Sequence, residues 1–360
     1  MFGLCARGGL VSKGLDEIRD SQYKLSNWFE RFAEQTAGSE MYQYLSLKVA
    51  KDRELLELAA TAEQSQPVPN LFFAAINFLL YKNPQDKLAR FYPIHSGKAF
   101  SAEGLFEQFK SFCFHYAQQL TSIMTTRLVQ TNEVRRCALL LPAIAKVQKA
   151  VSSEIALIDV GASSGLNLLL DRYFYSYSDG TQLGNPDSPL KISCEIRGAN
   201  LELEAIPKIA RRIGIDLNPI DLSDPEEVLW TMSLVWPDQV ERVERLKSAI
   251  QILKSNPVEL HRGDAVTLLP RLVENLSSSL QVCVMHSFTL NQFSIEARNK
   301  FEQALCELAR DRGLWRISLE WLGTETPVII LDHYASGKLK SKKTLARCHG
   351  HGDWLDIAAD

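Results

Sequence analysis

No apolar run in this chain is long enough to span a bilayer. The longest, Leu71 to Tyr81, is broken by Asn77 and falls short of the ~20 residues a membrane helix needs, so it reads as a buried helix. A disulfide framework is also missing. The cysteines (Cys5, Cys113, Cys137, Cys194, Cys283, Cys306 and Cys348) are odd in number and scattered without a C-x-x-C pair, which points to a reducing cytoplasm. Charge of one sign is lacking too: 40 Lys and Arg against 43 Asp and Glu leave a formal net charge of -3, too little to recruit nucleic acid or an anionic membrane. The start, Met1 to Gly9, has no basic segment followed by a continuous apolar stretch, and reads as an extension ahead of the folded part. Two nucleotide signatures are absent, the G-x-G-x-x-G fingerprint and the G-x-x-x-x-G-K-[ST] phosphate loop. Repeats and low-complexity tracts are lacking as well.

What is present begins at Ile155. A short apolar strand, Ile155 to Val160, runs into Gly161-Ala162-Ser163-Ser164-Gly165 and then into apolar helical spacing from Leu166 to Leu170. An acidic residue, Asp159, two positions before a G-x-x-x-G resembles the first motif of the Rossmann-like S-adenosylmethionine-dependent methyltransferases. Two later segments follow in the order that such a fold requires. Arg212 to Leu217 reads as a strand ending in Asp216, with Pro219 placed where a helix begins; Val258 to Leu260 leads to Gly263-Asp264-Ala265. The resemblance implies that Asp216 accepts from the ribose hydroxyls, that Asp264 and Ala265 meet the adenine, and that Asp159, Gly161, Ala162, Ser163 and Gly165 approach the methionine end. For each Asp the competing role is a helix cap or a turn.

The length suggests about two domains. Helical patterns dominate residues 1–152: Leu25 to Thr36, Tyr42 to Ala62, Leu71 to Tyr81, Ala102 to Thr126 and Glu133 to Ala150. Residues 153–360 alternate strands and helices as a parallel α/β sheet does, adding Gln281 to His286, Leu314 to Glu320 and an antiparallel carboxyl-terminal edge at Val328 to Asp332 and Thr344 to Cys348. Tyr173 to Lys208 is an insertion with a strand pair at Lys191 to Arg197 and Ala199 to Glu204; it serves either as a binding loop or as a brace.

Taken together, the stretches Val129 to Ala143, Val160 to Tyr173, Gly214 to Asp221 and Leu234 to Pro237 resemble a bacterial family labelled domain of unknown function 2332, over nearly the whole chain. The His349-Gly350-His351-Gly352-Asp353-Trp354 ending is similar to that family's, with Gly350 where proline is often expected. The resemblance implies a methyltransferase-like fold and no established reaction.

Chemistry is then read from polar residues near the expected strand ends. His286, in Met285 to Asn291, is the candidate base, with a ring suited to proton transfer near neutral pH. Thr131-Asn132-Glu133 either closes over a cofactor or starts a helix with Asn132 as its cap. His349 and His351 match no zinc spacing, so no metal is expected. Lys338, Lys340, Lys342, Lys343 and Arg347 form a basic hairpin of the kind that guards a strand edge. The expectation is an S-adenosylmethionine-dependent methyltransferase acting on an unidentified acceptor, a small molecule rather than nucleic acid; the alternative is a non-catalytic binding or regulatory protein that keeps the fold.

Overall fold

The computed structural model describes residues 23–358 apart from 37, 64, 322 and 324. The extension expected at Met1 to Gly9 lies outside these residues. Helices are α1 (23–35), α2 (Glu40–Val49), α3 (Arg53–Ala59), α4 (Val68–Lys82), α5 (Pro93–Ser96), α6 (Leu105–His115), α7 (Ala117–Thr126), α8 (Cys137–Ala150), α9 (Pro225–Ser233), α10 (Val240–Ser255), α11 (Ala265–Glu274) and α12 (Ile295–Leu308). None is long and apolar enough to cross a membrane.

The chain forms two compact units, Met1–Thr131 with Pro225–Glu244, and Asn132–Asp224 with Arg245–Asp360. The division falls after Thr131 rather than near residue 152, because α8 packs on the sheet of the second unit. Residues 225–244 rejoin the helical unit, where Trp230 is part of the core.

In the helical unit α4 is apolar on nearly every side, as a central helix must be. Phe29 meets Phe72 and Phe73 edge-on at 5.9 and 5.8 Å, and Tyr42 stacks on Phe73 at 4.5 Å. The single helix expected over Tyr42 to Ala62 is two, because the Asp52 side chain accepts from Leu55 N and starts α3 afresh. The run from Ala102 to Thr126 likewise breaks at Tyr116, whose φ of -105° and ψ of 19° are not helical.

The second unit is α/β. Its strands are β1 (Ile155–Val160), β2 (Phe174–Tyr177), β3 (Gln182–Gly184), β4 (Lys191–Gly198), β5 (Ile209–Asp216), β6 (Glu259–Arg262), β7 (Gln281–Ser287), β8 (Leu314–Glu320), β9 (Val328–Ala335), β10 (Lys338–Cys348) and β11 (Trp354–Ile357). They form one sheet in the order β3-β2-β4-β11-β10-β9-β8-β7-β1-β5-β6. From β6 to β8 all neighbours are parallel, and the winding reverses between β1 and β7. β1 is buried at every position, which is why it reads as an unbroken apolar run. Helices α11 and α12 contribute Leu269, Val273, Phe301 and Leu305 to the core on one face. Helix α8 packs against β8, β9 and β4.

Two expectations are corrected here. The antiparallel strands β9 and β10 are not the sheet's edge, because β11 pairs with β10 and the sheet continues through β4, β2 and β3. The basic residues of the β9–β10 hairpin run along β10, whose first seven residues are exposed. β11 pairs only with Ala346 to Cys348, so the lysine-rich part of β10 remains a one-sided edge that its charges protect. Within the insertion, Ala199 to Glu204 forms no strand, whereas Phe174–Tyr177 and Gln182–Gly184 do.

The helix expected from Leu166 is instead a 3-10 segment, Leu166–Arg172, kinked at Leu169. Its carbonyls are met by the tyrosine-rich insertion: Tyr173 Oη donates to Leu166 O at 2.6 Å and Tyr175 Oη to Leu170 O at 2.5 Å. Tyr177 Oη donates to Ala138 O at 2.9 Å. That last acceptor is exposed by chemistry, since Pro142 stands inside α8 four residues later and has no N–H to give it. The insertion thus braces its own unit. Urea unfolding should show that Tyr177→Phe costs about 1–3 kcal/mol, the cost of an unmatched buried carbonyl. In a Pro142→Ala background the same change should cost less than about 0.5 kcal/mol, because the helix recovers its own donor; equal costs in both backgrounds would refute this account.

Candidate functional site

The turn after β1 is built around three left-handed residues, Gly161 (φ 78°), Ser163 (φ 53°) and Gly165 (φ 78°). It is fastened to the end of β5. Ser163 N donates to Asp216 Oδ2 and Asn218 N to Asp216 Oδ1, each at 2.8 Å. Gly161 N and Ala162 N both reach Ile215 O, at 2.8 and 3.2 Å, and Ile220 N reaches Ser163 O at 3.1 Å. The glycines also admit neighbours. A Cβ on Gly161 would fall inside the Thr289 side chain, and one on Gly165 would lie 2.6 Å from Val258 Cγ2. Thr289 is held there by a bond from its hydroxyl to Val160 O at 3.0 Å.

The Thr131-Asn132-Glu133 segment is split. Thr131 closes the helical unit and is exposed. Asn132 belongs to the α/β unit, where its Oδ1 accepts from Ser164 Oγ at 2.5 Å. Glu133, not Asn132, caps the following turn, accepting from Arg135 N at 3.1 Å, and its Oε2 lies 3.5 Å from His351 Nδ1. Next to it Arg136 is buried, donates from Nε to Gly350 O at 2.9 Å and lies 4.3 Å over the Phe288 ring. Arg135 pairs with Asp353. Four segments distant in sequence, 132–136, 161–165, 286–290 and 349–353, therefore meet at the carboxyl edge of the sheet.

Orphan atoms mark this meeting point, among them one on the turn after β1 and one on the segment before Glu133. Ser163 Oγ and Asn132 Nδ2 are buried without hydrogen-bond partners. Asp159 is only 4 % exposed. Burial pushes its carboxyl up to about 8; the nearby Asp216 adds to the rise, Arg136 opposes it, and no hydrogen bond offsets it. Asp264 has a plainer duty. It is exposed and caps α11, accepting from Val266 N at 2.6 Å, with Ala265 buried behind it. Gly263 N ties that turn to Asp216 O at 2.9 Å.

His286 is fully buried, 0 % exposed, and Glu320, 2 % exposed, receives its Nδ1 at 2.8 Å. It faces Phe301 at 6.1 Å, on the α12 side of the sheet. His286 pairs with Val160 across the ladder, so the adjacent Asp159 points to the other face. The two are not brought together. Glu320 Oε1 also accepts from Thr289 N at 2.9 Å and Leu290 N at 3.0 Å. Burial alone would raise the Glu320 carboxyl, but the His286 bond and these backbone donors hold it below the usual range. His349 and His351 sit in the turn before β11 with rings 5.8 Å apart, and among the described residues no His, Cys, Asp and Glu group is arranged to hold a metal ion. Sequence reading missed Arg136, Thr289 and Glu320. For Glu320 one signal existed, a lone acid ending an apolar strand.

Residues 26–357 match the model of the family described as uncharacterized proteins conserved in bacteria, DUF2332. The chain belongs to that family. No curated protein matches it.

Asp159 gives a measurable signature. Its carboxyl is neutral in the fold and ionised in the unfolded chain between about 4 and about 8, so the fold binds the extra proton and stability falls as pH rises through that window. Relative to Asp159→Asn, the protein should lose up to about 1.4 kcal/mol per pH unit there. Urea unfolding at several pH values across the window checks this, and parallel profiles for the two proteins would refute it.

Proposed function

We propose that the α/β unit binds S-adenosylmethionine at the carboxyl edge of β1, β5 and β6 and transfers its methyl group to a small-molecule acceptor. One observation carries the reading: the left-handed turn after β1 is clasped by Asp216 next to the point where the strand order reverses. Open α/β sheets take ligands at that reversal. A parallel stretch from β6 to β8 followed by an antiparallel neighbour supports a Rossmann-like methyltransferase fold. The residues fit the cofactor's polar groups. In this reading Asp216, besides its backbone bonds, would accept from the ribose hydroxyls and Asp264 from the adenine amine, and Ser163 Oγ and Asn132 Nδ2 are buried donors in want of a partner. When bound, the cofactor supplies a methyl group activated on a sulfonium, so alignment of donor and acceptor does much of the work. His286, enclosed and held by Glu320, suits the positioning of the 288–290 loop better than proton transfer to solvent.

Thr289 favours a second reading. Its side chain fills the space beside Gly161, as expected of a protein that keeps the fold for interaction alone. Isothermal titration with S-adenosylmethionine and S-adenosylhomocysteine, with NAD and ATP as controls, separates the two. Micromolar binding of the first pair only is expected, at least ~10-fold weaker in Asp264→Ala. That variant loses only a helix cap, about 1 kcal/mol of stability. No binding by the folded protein would sink the methyltransferase reading and leave the second.

A further inference from the structure

The helical unit contains a second polar cluster, unrelated to the sheet. Tyr42 on α2, Tyr81 on α4 and Tyr92 at the start of α5 bury their phenol oxygens with no hydrogen-bond partner, and so does Asp238 with its Oδ1. Tyr42 is 2 % exposed and Tyr92 0 %. Asp238 is positioned by its other oxygen, which accepts from Met41 N at 3.2 Å. This is not how the chain treats tyrosine elsewhere: Tyr173, Tyr175 and Tyr177 each donate to a backbone carbonyl. A buried hydroxyl without a partner is costly, and three beside an unmatched carboxylate oxygen make a built polar site.

The four groups interact. Asp238 and Tyr81 both act on Tyr42, and Tyr42 acts on Tyr92. Burial, the largest influence, and then these neighbours raise the phenols of Tyr42 and Tyr92 well above the usual range, so they stay protonated. The charges acting on Tyr42 and Tyr81 are carboxylates, Asp238 and Glu244. Aromatic rings surround the oxygens: Phe73 is stacked on Tyr42 at 4.5 Å, and the His95 ring lies 4.6 Å from Tyr81 and 6.2 Å from Tyr92. Oxygen acceptors, the Asp238 carboxylate and ring faces together suit a compact cation that donates hydrogen bonds.

We infer that the helical unit binds a small primary alkylammonium ion, its three N–H groups shared among the oxygens of Tyr42, Tyr81, Tyr92 and Asp238 Oδ1. Tyr81, the partly exposed member, is the side of approach. This site is independent of the cofactor reading.

Thermal unfolding of the full chain with propylammonium chloride tests it, against 1-propanol and tetramethylammonium chloride, which remove the charge and the N–H donors respectively. A saturable rise in Tm with propylammonium alone is expected. Tyr42→Phe and Tyr92→Phe keep the ring packing and should weaken that binding at least ~10-fold, and Asp238→Asn should remove it. Circular dichroism of each variant confirms that it is folded. The proposal is overturned if propylammonium gives no saturable shift, if 1-propanol matches it, or if the Phe variants bind as tightly. In those cases the hydroxyls are met by ordered water only.

Discussion

The carboxylate of Asp216 holds the carboxyl edge of the parallel strands in the α/β unit together. One oxygen accepts from the turn after β1 and the other from the turn after β5, while its backbone carbonyl takes Gly263 N from the turn after β6. Three loops leaving three parallel strands are thereby fixed to one residue. The left-handed Ser163 is tolerable because its N–H is directed at that carboxylate, and the Asx-type bond to Asn218 N restrains the next turn in the same way. Through Ser164 the arrangement extends to Asn132, and through Thr289 to the loop after β7.

A second constraint follows from the sequence of that turn. Gly165 leads into a 3-10 segment rather than an α-helix, and a 3-10 segment kinked at Leu169 satisfies its carbonyls poorly. The insertion supplies the remedy. Tyr173, Tyr175 and Tyr177 send their hydroxyls to Leu166, Leu170 and Ala138, and the backbone of the same residues begins the β2 extension of the sheet. An excursion that a minimal β-α-β unit does not need is therefore explained by carbonyls that a regular helix would not have left open.

The strands that the sequence marked clearly were those with no competing signal. β1 keeps its expected bounds because it is an apolar run between polar breakers, buried on both faces, and β8 keeps them too although Arg316 and Ser318 interrupt its apolar residues. β11 escaped notice because Trp354–Ile357 is four residues long and acquires its identity only by pairing with β10 and β4. Helix ends failed for a local reason, as at Asp52, where the cap outweighed a continuous apolar period. The site was legible in its parts and not in its joins. Asn132 and Glu133, Gly161 to Gly165, His286 and the His349 to Asp353 turn could each be singled out. That Asn132 meets Ser164, that Arg136 reaches Gly350 and that Glu320 holds both His286 and Thr289 are long-range contacts that no spacing encodes. Asp159 and His286 are one register step apart on neighbouring strands, and strand alternation sends them to opposite faces.

That separation changes what the site's chemistry rests on. With the His286 ring enclosed behind Phe301 and bonded to Glu320, Asp159 is a buried group on the other face, and its carboxyl stays neutral to about 8. A neutral carboxyl donates as well as accepts, whereas an ionised one only accepts. A protonated Asp159, between the charges of Asp216 and Arg136, therefore differs from Asp216, whose two oxygens accept from backbone N–H groups. Thr289 sets the condition on the cofactor reading. Its hydroxyl is bonded to Val160 O, so a ligand that needs the space beside Gly161 must displace that bond before it gains its own.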